Sequence, residues 1–234
     1  MRLAILVISR YSQNYKMRIN KFVAQATGLS RRAADQAIAD GRVLINGQTA
    51  SPGDDVASGA SVRLDNKALR PTTSLTTLML NKPVGYVCSR RGQGSSTIYD
   101  LLPTSYHQLK PVGRLDKDSS GLLLLTNDGQ LANRLTHPRY GKTKQYSVTL
   151  NKPLDAANQT KIELGIQLED GLSQLILQLT GTDRRAWIIT MSEGRNRQIR
   201  RTFAALGHSV TSLHRTQFGS YKLGELPPGK FQVI

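Results

Sequence analysis

The chain has 234 residues, 32 Lys and Arg against 16 Asp and Glu, and a formal net charge of +16. A hydrophobic content of 38% is enough to bury a core, which excludes a disordered basic tail, and the longest apolar run falls far short of the roughly 18–20 residues of a membrane span. A single cysteine, Cys88, excludes an internal disulfide framework and fits a reducing cytoplasm.

Residues 1–70 hold 11 basic and 5 acidic residues (+6), and the remainder holds 21 and 11 (+10). Neither half contains a long block of one sign, so the charge belongs to folded surfaces. It implies a polyanionic partner, nucleic acid first. Cys88 with His107, His137, His208 and His214 shows no zinc-ligand spacing. Cys88 itself reads as a small core residue.

Residues 1–16 place six apolar residues after Arg2. The run is too short for a signal peptide and no small-residue cleavage site follows, so 1–16 is expected to be an extension ahead of Met17. Over 17–64, Ile19, Phe22, Val23 and Ala26 recur at helical spacing and Gly28 ends the helix. Ser30 is the expected N-cap of a second helix, with Ala34, Ala37 and Ile38 buried and Gly41 as its stop. Val43–Ile45 reads as a strand, Asn46-Gly47 as a hairpin turn, and Val62–Leu64 as a closing strand. The polar residues 65–76 read as a linker.

From residue 77 the pattern turns to strands. Leu78–Leu80 leads through a turn at 81–85 into an expected strand at Tyr86–Cys88. The apolar run from Gly121 to Thr126 predicts a strand buried on both faces. A helix should follow Asn127-Asp128-Gly129 and end before Pro138. Strands are expected at 145–150, 175–180 and 186–191, and a helix from about Arg195 to Leu206, ended by Gly207. The fold class is α+β: a small N-terminal α/β module over 17–64 and a larger, mostly antiparallel domain over 77–234.

Arg31 and Arg32 would occupy the first turn of the second helix, where the helix dipole disfavours cations. A phosphate bound at that end would explain them; the alternative is two solvated arginines. The stretches Met17–Phe22, Leu29–Ala34 and Gly41–Gly47 resemble the S4-type RNA-binding domain. Asn20 departs from the pattern, in which Asp is usual.

Asp116 and Asp118 lie in a loop before the buried strand, and composition cannot separate them. The run Gly113-Arg114-Leu115-Asp116 through Asn127-Asp128-Gly129 resembles the signature of the RNA pseudouridine synthases, in particular the ribosomal RNA branch with an N-terminal S4-type domain. The resemblance implies that Asp116 is catalytic. Lys144-Gln145-Tyr146 resembles the family's Lys-x-Tyr, whose tyrosine packs on the target base; alone, Tyr146 would read as an ordinary strand aromatic. Glu193–Arg201 resembles the third motif, which implies that Arg200 pairs with Asp116. Without the resemblance, its four arginines are a solvated face or a phosphate patch. Arg200 is expected to point inward, and Arg195 and Arg197 toward RNA.

The reaction implied is isomerisation of a uridine in ribosomal RNA, large-subunit (23S) before small-subunit (16S), without cofactor. The base must be flipped out of the folded RNA. Stacking on Tyr146 would return roughly 1–3 kcal/mol of that cost, and Arg114 would fill the gap. Asp116 must be ionised to act, a state that a neighbouring guanidinium favours. The expected partner is ribosomal RNA or a pre-ribosomal particle, with no membrane, and the protein is expected to be a cytoplasmic monomer. A non-catalytic RNA-binding or ribosome-assembly protein is the second reading, and a DNA-binding protein the third.

Overall fold

The computed structural model describes residues 16–70 and 74–234. The extension expected over 1–16 therefore lies outside the described residues, save Lys16. The chain divides into two compact units between Leu75 and Thr76.

The first unit runs β1 (Met17–Arg18), α1 (Ile19–Thr27), α2 (Arg31–Ala39), β2 (Val43–Ile45), β3 (Gln48–Thr49), β4 (Asp55–Val56), β5 (Val62–Leu64) and β6 (Lys67–Leu69). The Ser30 hydroxyl accepts from the backbone N–H of Ala33 at 3.0 Å, which fixes the start of α2. The apolar stripes of both helices close on one core with Val43, Val56 and Val62. Strands order as β3-β2-β5-β6. The expected linker is thus corrected at its start. Asp65 and Asn66 both take positive φ, 49° and 61°, and form a two-residue turn that returns the chain as β6 along β5.

The second unit runs β7 (Thr77–Lys82), β8 (Lys110–Pro111), β9 (Ser120–Thr126), α3 (Gly129–Thr136), β10 (Lys144–Leu150), α4 (Ala156–Leu164), β11 (Ile166–Leu168), β12 (Gly171–Ser173), β13 (Ile176–Leu179), β14 (Ala186–Met191), α5 (Gln198–Ala204), β15 (Val210–Phe218), β16 (Tyr221–Lys222) and β17 (Phe231–Val233). Its main sheet orders β13-β14-β10-β15-β9-β7-β17. Every pairing in it is antiparallel except β9 with β15. Strand β9 carries four consecutive leucines, residues 122–125, because both of its faces are covered. Leu123 and Leu125 join one core with Leu78, Leu80, Trp187 and Phe203, while Leu122 and Leu124 join a second with Met79, Leu135 and Phe218. Among the described residues no helix is long and apolar enough to cross a membrane.

Two elements differ from expectation. Tyr86–Cys88 forms only an isolated bridge, Val87 with Thr97, and the Cys88 thiol exchanges hydrogen bonds with the backbone of Leu115. Helix α5 begins at Gln198, not Arg195, because Arg197 takes a left-handed conformation (φ 47°) at its N-cap.

Candidate active site

Asp116 sits in the loop between β8 and β9, and that loop is held from beneath by Lys82. The Lys82 side chain is fully buried. Its ammonium donates to the carbonyl oxygens of Pro83 and Asp116, both at 3.0 Å, and of Ser119 at 2.6 Å. Burial pushes its pKa down, while Cys88, Asp116 and Asp118 pull it back. Three carbonyls satisfy all three of its N–H donors, so the charge is fully hydrogen-bonded. The Ser119 N–H also donates to the Asp116 carbonyl at 3.1 Å, and that of Gly85 to the Lys117 carbonyl at 2.7 Å. The loop backbone is thereby fixed, which leaves the Asp116 carboxylate free to project.

It projects into a cavity of about 290 Å³ whose walls include Arg114, Asp116, Lys144, Tyr146, Arg197 and Arg215. Tyr146 comes from β10 and is buried at the cavity wall. Lys144 donates to the Glu193 carbonyl at 3.0 Å, and burial lowers its pKa. One carboxylate therefore shares a half-enclosed space with an aromatic ring and several cations. Such a site can engage a sugar or base carried on an anionic backbone.

The sequence matches the family model described as RNA pseudouridylate synthase over residues 76–205, and that of the S4 domain over residues 17–62. The chain belongs to the RNA pseudouridylate synthase family. This synthase, an isomerase by family, is 37% identical over 94% of its length to an uncharacterized RNA pseudouridine synthase of Aquifex aeolicus, covering 90% of that protein. It is 38% identical over 93% of its length to a ribosomal large subunit pseudouridine synthase B of Haemophilus influenzae, of which it spans 64%. It is 37% identical over 93% of its length to a ribosomal small subunit pseudouridine synthase A of Yersinia pestis, of which it spans 94%. A crystal structure of a pseudouridylate synthase superposes with a TM-score of 0.67 at 34% identity, covering 93% of this chain and 96% of the other.

The arginines of the synthase divide differently from expectation. The ion pair to Asp116 comes from Arg197, Nη1 to Oδ2 at 3.6 Å, not from Arg200. Arg197 stands outside the helix at the N-cap and lines the cavity. It also grips both oxygens of Asp118, at 3.1 and 2.8 Å. Arg200, nearly one turn into α5, donates to the carbonyls of Val210 (2.7 Å) and Asp118 (2.8 Å), and its Nε lies 3.3 Å from the Asp118 carboxylate. Arg195, expected to face RNA, is bound to Asp170 at 2.9 Å and to the Leu172 carbonyl at 2.8 Å. Arg201 takes the same Asp170 at 2.6 Å. Arg114 is exposed and lines the cavity.

In the S4 unit, Arg31 and Arg32 are the first two residues of α2 and both are exposed. Arg31 donates to the Asn20 side-chain oxygen at 3.1 Å, and the Asn20 amide donates to Asp35 at 2.7 Å. This explains the departure at position 20: an amide accepts from one neighbour and donates to the other, whereas an aspartate would set a second carboxylate against Asp35.

Sequence reasoning missed Arg215. It is fully buried on β15, at the cavity wall. The strand Val210–Phe218 was not foreseen. Had it been, the two-residue period from the core residue Leu213 would have placed Arg215 on the same inward face.

Proposed function

We propose that this synthase converts a uridine of ribosomal RNA, in the large subunit (23S) before the small, to pseudouridine, acting in the cytoplasm as a monomer on the RNA or a pre-ribosomal particle, without a cofactor. The bond between N1 and C1′ breaks, the ring turns, and a bond between C5 and C1′ forms. The C5 proton is lost and N1 gains one, so the step balances with no donor or oxidant. Asp116 is the carboxylate that acts on the sugar. Tyr146 stacks on the flipped uracil, and Arg114 enters the gap left in the RNA.

The observation that carries this reading is the meeting of Asp116 and Tyr146 in one cavity. The family requires a carboxylate and an aromatic, and here they come from a loop and a strand 30 residues apart in sequence. The reading of the substrate as ribosomal RNA is supported by the S4 domain and by relatives named for either subunit. Pseudouridine mapping in ribosomal RNA from a strain lacking the protein tests it: one site should be lost, and an unchanged map would overturn it. Asp116→Asn should abolish isomerisation while binding RNA within about twofold of wild type. Activity that persists in that variant would remove Asp116 from the chemistry.

A further inference from the structure

Arg215 is a charged group of the cavity wall to which the proposed reaction assigns no role. Its guanidinium is tightly placed. Nε donates to the Leu122 carbonyl at 2.7 Å, and the guanidinium carbon lies 5.0 Å from the centre of the Phe218 ring. Nη2 is buried and has no hydrogen-bond partner among the described residues. Among the described residues no ion pair involves Arg215. A buried charged donor left unpaired is costly, and one held in a cavity wall is placed to bond what enters the cavity.

Position identifies that ligand. On β10 and β15, Gln145 is opposite Gln217, but a bulge then sets Tyr146 opposite Arg215 in place of Thr216. Bulges commonly re-aim a side chain beside an active site. Opposed residues on antiparallel strands project to one face, with Cβ atoms about 4.5–5.5 Å apart. A planar base lying on the Tyr146 ring therefore turns an edge toward Arg215. A guanidinium only donates. Uracil offers an oxygen at C4, where cytosine carries an amino group that also donates.

We propose that Arg215 reads the base: Nη2 donates to O4 of the flipped uracil, selects it over cytosine, and stabilises the charge the ring carries during the reaction. This rests on the reading of the protein as a uridine isomerase. When the N1–C1′ bond breaks, its electron pair stays on the ring, spread over N1, O2 and O4. C5 then bonds to C1′ and loses its proton, and N1 takes one up. The guanidinium favours the anion without giving up its own proton, and it is in place before the charge forms.

The test uses the full chain. Binding of UMP, CMP and 4-thio-UMP is measured by calorimetry for wild type, Arg215→Met and Arg215→Lys, and pseudouridine formation is followed in ribosomal RNA from a strain lacking the protein. Wild type should prefer UMP to CMP by about tenfold or more, and sulfur at position 4, a weaker acceptor, should weaken binding. Arg215→Met should lose the preference and about 100-fold or more in kcat, with Arg215→Lys between the two. Wild type that makes pseudouridine while Arg215→Met keeps both preference and rate overturns the role of Arg215 and leaves the function standing. Wild type that selects UMP through Arg215 yet makes no pseudouridine overturns the function and leaves the base recognition. If Arg215→Met does not fold, the three nucleotides on wild type decide: absence of any preference for UMP overturns the proposal.

Discussion

Asp118 shows how one residue near the site sets the work of others. The hydrogen bonds from Arg197, opposed by partial burial and reinforced by the charge of Arg200, hold its carboxyl below the ordinary value of 3.8. Its pKa is lowered on folding, so the interaction stabilises the protein fully above the unfolded value and is lost as pH falls through the folded one. The side chain is 46% exposed, so solvent screening keeps the effect small. Asp118→Asn should cost no more than about 1 kcal/mol at pH 7, and the gap to wild type should close as pH drops below about 4. Urea unfolding of both proteins across that range measures it. A gap constant with pH would show that the carboxylate acts by packing and not by charge. The same geometry separates two carboxylates that composition alone left equivalent. Asp116 lines the cavity, while Asp118 lies outside its walls and closes a pair with Arg197 and Arg200.

At the level of elements, the site depends on the parallel seam between β9 and β15, which rests on two residue pairs, His214 with Ser120 and Arg215 with Gly121. Gly121 has φ of +103°, and a Cβ there would lie 2.3 Å from the Arg215 carbonyl oxygen and 2.6 Å from its nitrogen. Only glycine lets the strands approach this closely. Gly121→Ala should therefore destabilise the protein by at least about 2 kcal/mol and should reduce isomerisation further, since Asp116 leads into one strand and Arg215 sits on the other. A melting curve that overlays wild type would refute the seam as a constraint. The seam also marks where sequence reading stopped. Signals held within a few residues were legible: the Ser30 cap, the Asn46-Gly47 turn, the two-faced leucine run of β9. Strand β15 was not, because its polar stretch Thr211-Ser212, His214 and Thr216-Gln217 acquires strand structure from its neighbours β10 and β9 and not from local pattern. The Arg200 pairing with Asp116 was implied by the resemblance to the third motif and not by local pattern. In the structure the left-handed Arg197 leaves the helix face and pairs with Asp116, while Arg200 lies against Asp118.

Over the whole molecule, the charge of +16 overstates what is available to RNA. Arg195 and Arg201 are held by Asp170, and Arg197 and Arg200 by Asp118. Among the described residues no ion pair engages Arg31, Arg32 or Arg114. Two views of binding then differ in a measurable way. If RNA responds to net charge alone, removing any arginine weakens binding alike. If it responds to individual phosphates, each phosphate no longer neutralised means roughly one fewer counterion released, and the slope of log K against log salt falls by about 1. Arg31→Ala should lower that slope by about 1 in the full chain, as should Arg32→Ala. Arg201→Ala, with the same change in net charge, should leave it unaltered, because its guanidinium is already neutralised by Asp170. Filter binding of ribosomal RNA between about 50 and 200 mM salt separates the two. Equal slopes for Arg31→Ala and Arg201→Ala would mean that the S4 unit attracts RNA only through its overall field. A lower slope for Arg31→Ala and Arg32→Ala but not for Arg201→Ala places a phosphate at the first turn of α2, where two cations stand against the helix dipole.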